Sequence, residues 1–330
     1  MRPQFLSTAV VQTIAAASLL FMASLVNAQS PRHLSKADVD KMMTELSNWG
    51  RWGKTDQLGT ANLITAAKRQ AAARLVTEGV SVSLSRNTDS EKAVDNDVPF
   101  GHKMMIAVGG EFNMDEYTTA YHGFATTHFD APSHMFYAGK MYNGYPQSSI
   151  TDRGTKELAV TAFRDGLFTR GVLIDIPRLK GVPYLEPSTA IYPEDLDAWE
   201  KSTGVHIEPG DAVFIRTGRW ARRAEKGPWN ASEHSAGLFV TCARWLKQRN
   251  VALLGSDGSH DVLPSGVEGV AWPVHRVLLV AMGMPLFDNC DLEALSKAAA
   301  AKKRWTFLLT AAPLAVTGGT GSPLNPTATF

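Results

Sequence analysis

Cysteine is scarce in this sequence, with two residues in a chain of 330. A disulfide framework of the kind that holds small secreted domains together is therefore excluded. Cys242 and Cys290 stand far apart, and Cys242 lies in an apolar segment with a helical pattern. An oxidising compartment would permit a bridge between them, but this context favours two buried thiols.

An excess of charge of either sign is also missing, since 33 lysines and arginines stand against 32 aspartates and glutamates. A balanced chain gives no electrostatic reason to bind nucleic acid or an anionic membrane surface. The length and the ordinary apolar content allow a large buried core. These features favour a protein whose partner is a small molecule.

Long apolar runs are missing after the first 28 residues. Arg2 precedes a largely apolar stretch over residues 9–26, which closes on Val26-Asn27-Ala28. This arrangement predicts a secretory signal peptide over residues 1–28, with cleavage after Ala28, and hence a secreted or periplasmic protein. The alternative is a membrane anchor, but polar residues interrupt the run, which is near the lower length limit for a bilayer span. No membrane association is expected once the peptide is removed.

The rest of the chain alternates between patterns typical of strands and of helices. Ser35, with an acid three residues later, resembles a helix start, so residues 29–44 are predicted as a helical lead-in to one catalytic domain over residues 45–330. Residues 87–98 are polar and lack periodicity, which predicts a loop. The remaining predicted strands are 80–85, 171–176, 212–217, 251–255 and 304–309, and the remaining predicted helices are 65–75, 193–201, 236–248, 272–282 and 292–301. Such alternation favours an α/β fold with helices covering a sheet.

Three polar residues in the segment 127–134 carry the chemistry: His128, Asp130 and His134. In an extended segment alternate side chains share a face, so His128 and Asp130 should point the same way. Pro132 ends regular pairing and lets His134 turn back over the same pocket. Such ligands suit an ion of the Zn²⁺ or Mn²⁺ class. The alternative is ordinary polar groups at a strand edge, but the residues between them are apolar or small, and buried charges are normally paired or coordinated.

Several separated blocks resemble, in the same order, the metal-dependent cyclase family, which includes kynurenine formamidases and isatin hydrolases. The blocks are residues 52–63, 127–134, 140–144, 256–266 and 312–323, within a resemblance that covers residues 45–325. The tryptophan and glycine residues of the first block resemble the longer branch of the family. The resemblance implies a single cyclase-like domain of the swivelling β/β/α type, with a mixed sheet covered by helices. It also implies a homodimer and a divalent metal ion, Mn²⁺ or Zn²⁺.

The same resemblance assigns roles to individual residues. The family binds metal through a His-x-Gly-Thr-His-x-Asp pattern, a downstream histidine and a glutamate, and it uses another histidine as acid and base. The metal ligands implied for this chain are His128, Asp130, His275 and Asp288, and the implied catalytic residue is His134.

Two positions depart from the family pattern. Phe124 stands where the first histidine ligand is expected, and Asp288 is one methylene shorter than the family's glutamate. His122 is two residues away from the position of the missing ligand, so it would replace that ligand only through a local change of backbone path. Both departures should weaken metal binding or change the preferred metal, but up to four ligands remain.

The substrate site is less constrained by the sequence. Trp52, between two glycines, and Phe136 would offer a flat apolar wall to an aromatic or cyclic substrate, with core packing as the alternative. His260 follows a predicted strand where an α/β sheet places ligands, and a structural role for its ring is equally open.

Together these residues predict a metal-dependent hydrolase that cleaves a small amide, lactam, formamide or ester through a metal-activated water. The first alternative is a degenerate family member that binds a small molecule without turnover. The second is a metal-assisted lyase or cyclising enzyme on the same scaffold, because a fold does not fix a reaction.

Overall fold

The structure is a computed structural model that describes residues 30, 32–106 and 109–330. The predicted signal peptide, residues 1–28, lies outside the described residues. Among the described helices, none combines the length and the apolar character that a bilayer span requires.

A large mixed sheet organises the domain. Its strands are β1 (Ser81–Ser83), β4 (His128–Asp130), β5 (Leu167–Asp175), β7 (Ala212–Arg216), β9 (Leu253–Ser256), β10 (Leu286–Asp288), β11 (Thr306–Ala311), β12 (Gly321–Pro323) and β13 (Thr327–Thr329). The remaining described strands form two small sheets, β2 (Gly101–Ile106) with β3 (Asn113–Thr118), and β6 (Ala190–Ile191) with β8 (Gly237–Leu238). The order across the large sheet is β1-β13-β11-β5-β7-β9-β10-β4-β12.

The four central strands, from β5 to β10, run parallel, and the strands on either side of them pair antiparallel. Parallel strands are covered on both faces, so their sequences are nearly continuous apolar runs. Val172 and Ile174 of β5 belong to one buried cluster, whereas Leu173 between them belongs to the other. The core therefore lies on both sides of the sheet.

The helices are α1 (Lys36–Glu45), α2 (Ala66–Ala73), α3 (Ile176–Lys180), α4 (Pro193–Thr203), α5 (Arg219–Lys226), α6 (Cys242–Gln248), α7 (Pro273–His275) and α8 (Glu293–Lys302). A π-helix, Arg276–Met282, continues directly from α7. Ser35 caps α1 with a reciprocal hydrogen-bond pair to Asp38, as the sequence predicted. The predicted α/β fold with one mixed sheet covered by helices is confirmed, and both cysteines are buried free thiols.

One local prediction was wrong, and one element was not predicted. Residues 236–248 were predicted as one helix, but only Cys242–Gln248 is helical and Gly237–Leu238 forms β8. The backbone at Gly237 packs so tightly that a Cβ there would lie 2.5 Å from the carbonyl oxygen of His260. The hairpin of β2 and β3 was not predicted, because its residues are almost all exposed and so lack the alternation that marks a half-buried strand.

Candidate metal centre

The site begins where β4 pairs with β10. Their antiparallel register sets His128 opposite Asp288, and Phe129 opposite Phe287. The Phe129 ring packs against Phe287 at 5.7 Å between ring centroids and is fully buried in the core. Since successive side chains of a strand point to opposite faces, the neighbours of Phe129, His128 and Asp130, share the other face. Strand pairing thereby gathers three of the predicted ligands.

His134 returns to this face by a turn. Its backbone N–H donates to the carbonyl oxygen of Ala131 at 2.8 Å, which folds the chain back immediately after β4. The ring nitrogen Nε2 of His134 then lies 3.8 Å from Asp130 Oδ2. Burial, together with the neighbouring histidines and against the attraction of Asp130, lowers the pKa of His134 to about 4.

His275 reaches the same point from the far side, at the end of α7. Its Nε2 lies 3.5 Å from Asp288 Oδ2 and 3.9 Å from Asp130 Oδ2. Its Nδ1 is 2.7 Å from the buried carboxylate of Asp261, which also accepts hydrogen bonds from the backbone N–H groups of Val274 and His275. Burial acts against the charged imidazole, but Asp288 and Asp261 raise its pKa well above the ordinary value.

The two central carboxylates lack ordinary partners. Asp130 is 1% exposed, and among the described residues no backbone N–H or hydroxyl group donates to its carboxylate. Burial would raise the pKa of Asp130, but the neighbouring histidines, with His134 and His128 first, lower it to about 2. Burial would also raise the pKa of Asp288, but His260 and His275 hold it well below its ordinary range. Two buried, ionised carboxylates surrounded by imidazoles are a donor set that suits a divalent cation.

His122 contacts this cluster from its solvent-exposed side, and the sequence had left its role undecided. Its Nδ1 is 2.9 Å from Asp130 Oδ1, and its ring stacks on His134 with 4.0 Å between centroids. Within the described part of the chain, two sets of three side chains have ligand atoms close enough to share one ion. One is His122, Asp130 and His134, and the other is His128, Asp130 and Asp288. The available signal was the histidine itself, two residues before the position of the missing ligand.

His260 lies behind the cluster, fully buried, with Nε2 at 3.0 Å from Asp288 Oδ1. Its backbone is in the left-handed region, with φ at 60°, a strained conformation for a residue other than glycine. In this position the ring of His260 contacts Asp288. A role for His260 in binding substrate stays a prediction.

A cavity of about 210 Å³ opens over these residues. Its apolar wall consists of Phe124, Met135 and Trp272, and Ser259 contributes a buried hydroxyl with no hydrogen-bond partner among the described residues. The two aromatic residues named from the sequence do not line it: Phe136 is 47% exposed, and the Trp52 ring packs under the guanidinium of Arg51 at 4.6 Å. Residue 124 therefore has an apolar role where the family pattern has a ligand.

Residues 31–260 match the family named Cyclase, which is described as "Putative cyclase". A crystal structure described as a novel cyclase is 31% identical, covers 86% of this chain and 100% of its own, and superposes with a TM-score of 0.79. Isatin hydrolase A from Ralstonia solanacearum is 21% identical, with 80% and 97% coverage and a TM-score of 0.55. An isatin hydrolase bound to the product analogue thioisatinate is 20% identical, with 80% and 98% coverage and the same TM-score. The two isatin hydrolases share the fold of this chain. The comparison with curated proteins found no match.

Proposed function

This chain belongs to the cyclase family, and on that premise we propose that it is a metal-dependent hydrolase of small amides, lactams, formamides or esters. One observation carries the proposal: the Asp130 carboxylate is buried and ionised, and among the described residues it faces imidazole nitrogens but no backbone N–H or hydroxyl donor. A buried carboxylate surrounded by imidazoles is a typical set of ligands for a divalent cation. The isatin hydrolases that share the fold support the choice of hydrolysis.

The residues that would hold the ion are His128, Asp130, His275 and Asp288. Each histidine is prepared for this role by its other ring nitrogen, because a hydrogen bond from Nδ1 leaves the lone pair on Nε2. Nδ1 of His128 lies 2.9 Å from the carbonyl oxygen of Thr126, and Nδ1 of His275 lies 2.7 Å from Asp261. Two imidazoles and two carboxylates suit Mn²⁺ or Zn²⁺, and we propose one of these.

A divalent ion held here would polarise the substrate carbonyl and lower the pKa of a water to about 7. His134 lines the cavity, and we propose that its Nε2 takes the proton from the attacking water and returns it to the leaving nitrogen or oxygen. Phe124 and Trp272, whose ring centroids are 6.1 Å apart, would exclude bulk water from the acyl group. Ser259 would donate a hydrogen bond to a polar atom of the substrate.

Elemental analysis together with a substrate panel tests this function. The purified protein should contain a bound divalent metal and should hydrolyse at least one formamide, lactam or ester. Asp130→Asn preserves the size of the side chain but removes its charge, so metal should be lost with activity. The matched control is Asp115→Asn, because Asp115 is an exposed carboxylate of the β2–β3 hairpin that pairs with His102 and does not line the cavity.

The outcomes separate the candidate functions. A folded wild-type protein that takes up neither Mn²⁺ nor Zn²⁺ would favour the binder without turnover and would overturn the hydrolase. Full metal content in Asp130→Asn would remove Asp130 from the ligand set. Reaction in ¹⁸O-labelled water distinguishes hydrolysis, which places the label in the product acid, from a lyase, which does not.

We also propose, from the family resemblance, that the chain forms a homodimer. The hairpin of β2 and β3 exposes several large apolar side chains, among them Met104, Ile106 and Tyr117. An isolated two-stranded hairpin is marginally stable in water, so covering this surface would stabilise it. Light scattering coupled to size exclusion measures the mass directly, and a monomer at all concentrations would contradict the proposal.

A further inference from the structure

We infer that His122 supplies the ligand that Phe124 cannot, by binding the metal through Nδ1 while Thr320 holds its Nε2. The inference rests on the proposed metal-dependent function. It concerns only which side chain occupies the position left by the missing family histidine.

The backbone around His122 provides the local change of path that a two-residue offset requires. The N–H of Gly123 donates to the carbonyl oxygen of Tyr121 at 2.8 Å. This bond between residues i and i+2 closes a γ-turn with His122 at its centre. The turn shortens the chain before β4 and presents the imidazole of His122, rather than the ring of Phe124, to Asp130.

Buried polar side chains hold this turn in place. The side-chain amide of Asn289, which is fully buried next to Asp288, donates to the carbonyl oxygen of Gly123 at 2.7 Å. Arg219, 4% exposed, donates from Nη1 to Asn289 Oδ1 at 2.6 Å and from Nη2 to the carbonyl oxygen of Phe124. The loop that carries His122 is thus fixed to the strand that carries a proposed ligand.

The donor atoms have the spacing expected of ligands on one ion. His122 Nδ1 and His128 Nε2 lie 2.9 and 3.5 Å from Asp130 Oδ1. Two atoms that each bind a metal at about 2.1 Å are roughly 3.0–3.4 Å apart in octahedral or tetrahedral geometry. His134 Nε2 lies farther from the Asp130 carboxylate than His122 Nδ1 does, at 3.8 Å against 2.9 Å, and is the less suitable replacement for the missing ligand.

Thr320 can hold the tautomer that metal binding through Nδ1 requires. Its hydroxyl oxygen lies 3.2 Å from Nε2 of His122 and can accept a hydrogen bond from an Nε2–H group when the metal takes Nδ1. Nδ1 then carries a lone pair that faces the oxygen of an ionised carboxylate at 2.9 Å. Two lone pairs at this distance repel each other unless a cation lies between them.

The ring is also confined sterically. His134 stacks against one side of it, with 11° between the ring planes. On β12, a Cβ at Gly321 would lie 3.0 Å from the His122 ring and 2.2 Å from the carbonyl oxygen of Phe129. Glycine at 321 is therefore required for this close approach. The His122 ring is held beside Asp130 although part of it is exposed to solvent.

Metal affinity, measured by competition with a coloured chelator, tests the inference without any substrate. The metal-free full-length protein is titrated with Zn²⁺, and its Co²⁺ form is followed by visible absorption. His122→Phe keeps a flat ring in the stack but has no donor, so affinity should fall by more than about 100-fold. His122→Asp restores a donor and should recover part of the affinity. Thr320→Val removes only the outer hydrogen bond and should cost about 10–100-fold.

The matched control is His134→Phe, which makes the same change on the other ring of the stack and should leave Zn²⁺ affinity and the Co²⁺ spectrum close to wild type. Circular dichroism establishes that each variant is folded. Wild-type affinity in His122→Phe, or equal losses in His122→Phe and His122→Asp, would overturn the inference while leaving the metal centre in place. A loss confined to His134→Phe would assign the ligand to His134. A wild-type protein that binds neither ion would overturn the proposed function itself, and this inference with it.

Discussion

Replacing Asp261 tests whether a hydrogen bond to the proposed ligand His275 supports metal binding. Asp261 does not line the cavity, but its carboxylate accepts three hydrogen bonds, from His275 Nδ1 at 2.7 Å and from the backbone N–H groups of Val274 and His275 at 2.7 and 3.1 Å. Asp261→Asn removes the charge and replaces one oxygen by an amide group. The side chain keeps its shape, so any effect on the metal must pass through His275.

The size of the effect follows from these contacts. If the amide oxygen keeps the two donors of His275, the new amide group faces the N–H of Val274, and one buried donor is left without an acceptor. Such a loss costs about 1–3 kcal/mol of unfolding free energy. A neutral partner also makes the imidazole a weaker ligand, and changes of this kind lower metal affinity about 10–100-fold, or about 1.4–2.8 kcal/mol of binding free energy.

Chelator competition and urea unfolding measure the two quantities separately. The matched control is Asp175→Asn, because Asp175 is also buried and accepts hydrogen bonds, from Arg216 and Ser296, but lies outside the cavity. It should lose stability and keep wild-type metal affinity. If Asp261→Asn bound Zn²⁺ as tightly as the control does, the proposed link from Asp261 through His275 to the metal would be refuted.

Three further predictions follow from the same structure and sequence. His134→Ala should retain metal but lose about 10²–10⁴-fold in kcat/KM, as expected of an acid and base, and elemental analysis of an inactive, metal-free variant would contradict this. Burial raises the pKa of Glu200, but hydrogen bonds from Arg249 outweigh it and lower the pKa below 4.5. Its ionised form therefore stabilises the fold above about pH 4.5, and this contribution is lost as the pH falls through the folded pKa. Urea unfolding at about pH 7 and pH 4 should show a smaller acid-induced loss in Glu200→Gln than in wild type. Exported protein should begin at Gln29, and N-terminal sequencing that returned the initiator methionine would contradict cleavage after Ala28.

The fold was predictable where a segment carries its own signal. The buried strands β5, β7 and β9 contain apolar runs, and α4 begins at Pro193 and is followed directly by Gly204, as local propensity favours. The helix α5 was not predicted, because it is strongly polar and buries only Arg219 and Trp220. The exposed hairpin of β2 and β3 was missed for the related reason that no buried face imposes a pattern on it.

The sequence by itself determined the donor types of the site and the extended segment that carries His128 and Asp130, because side-chain alternation and the turn at Pro132 are local properties. Only the tertiary structure decided which distant residues join them. The register of β10 against β4 sets Asp288 beside His128, and α7 brings His275 from the other side. The γ-turn that presents His122 depends on Asn289 and Arg219, which belong to other parts of the chain. Long-range pairing depends on chain closure and packing over the whole domain, and no local pattern encodes it.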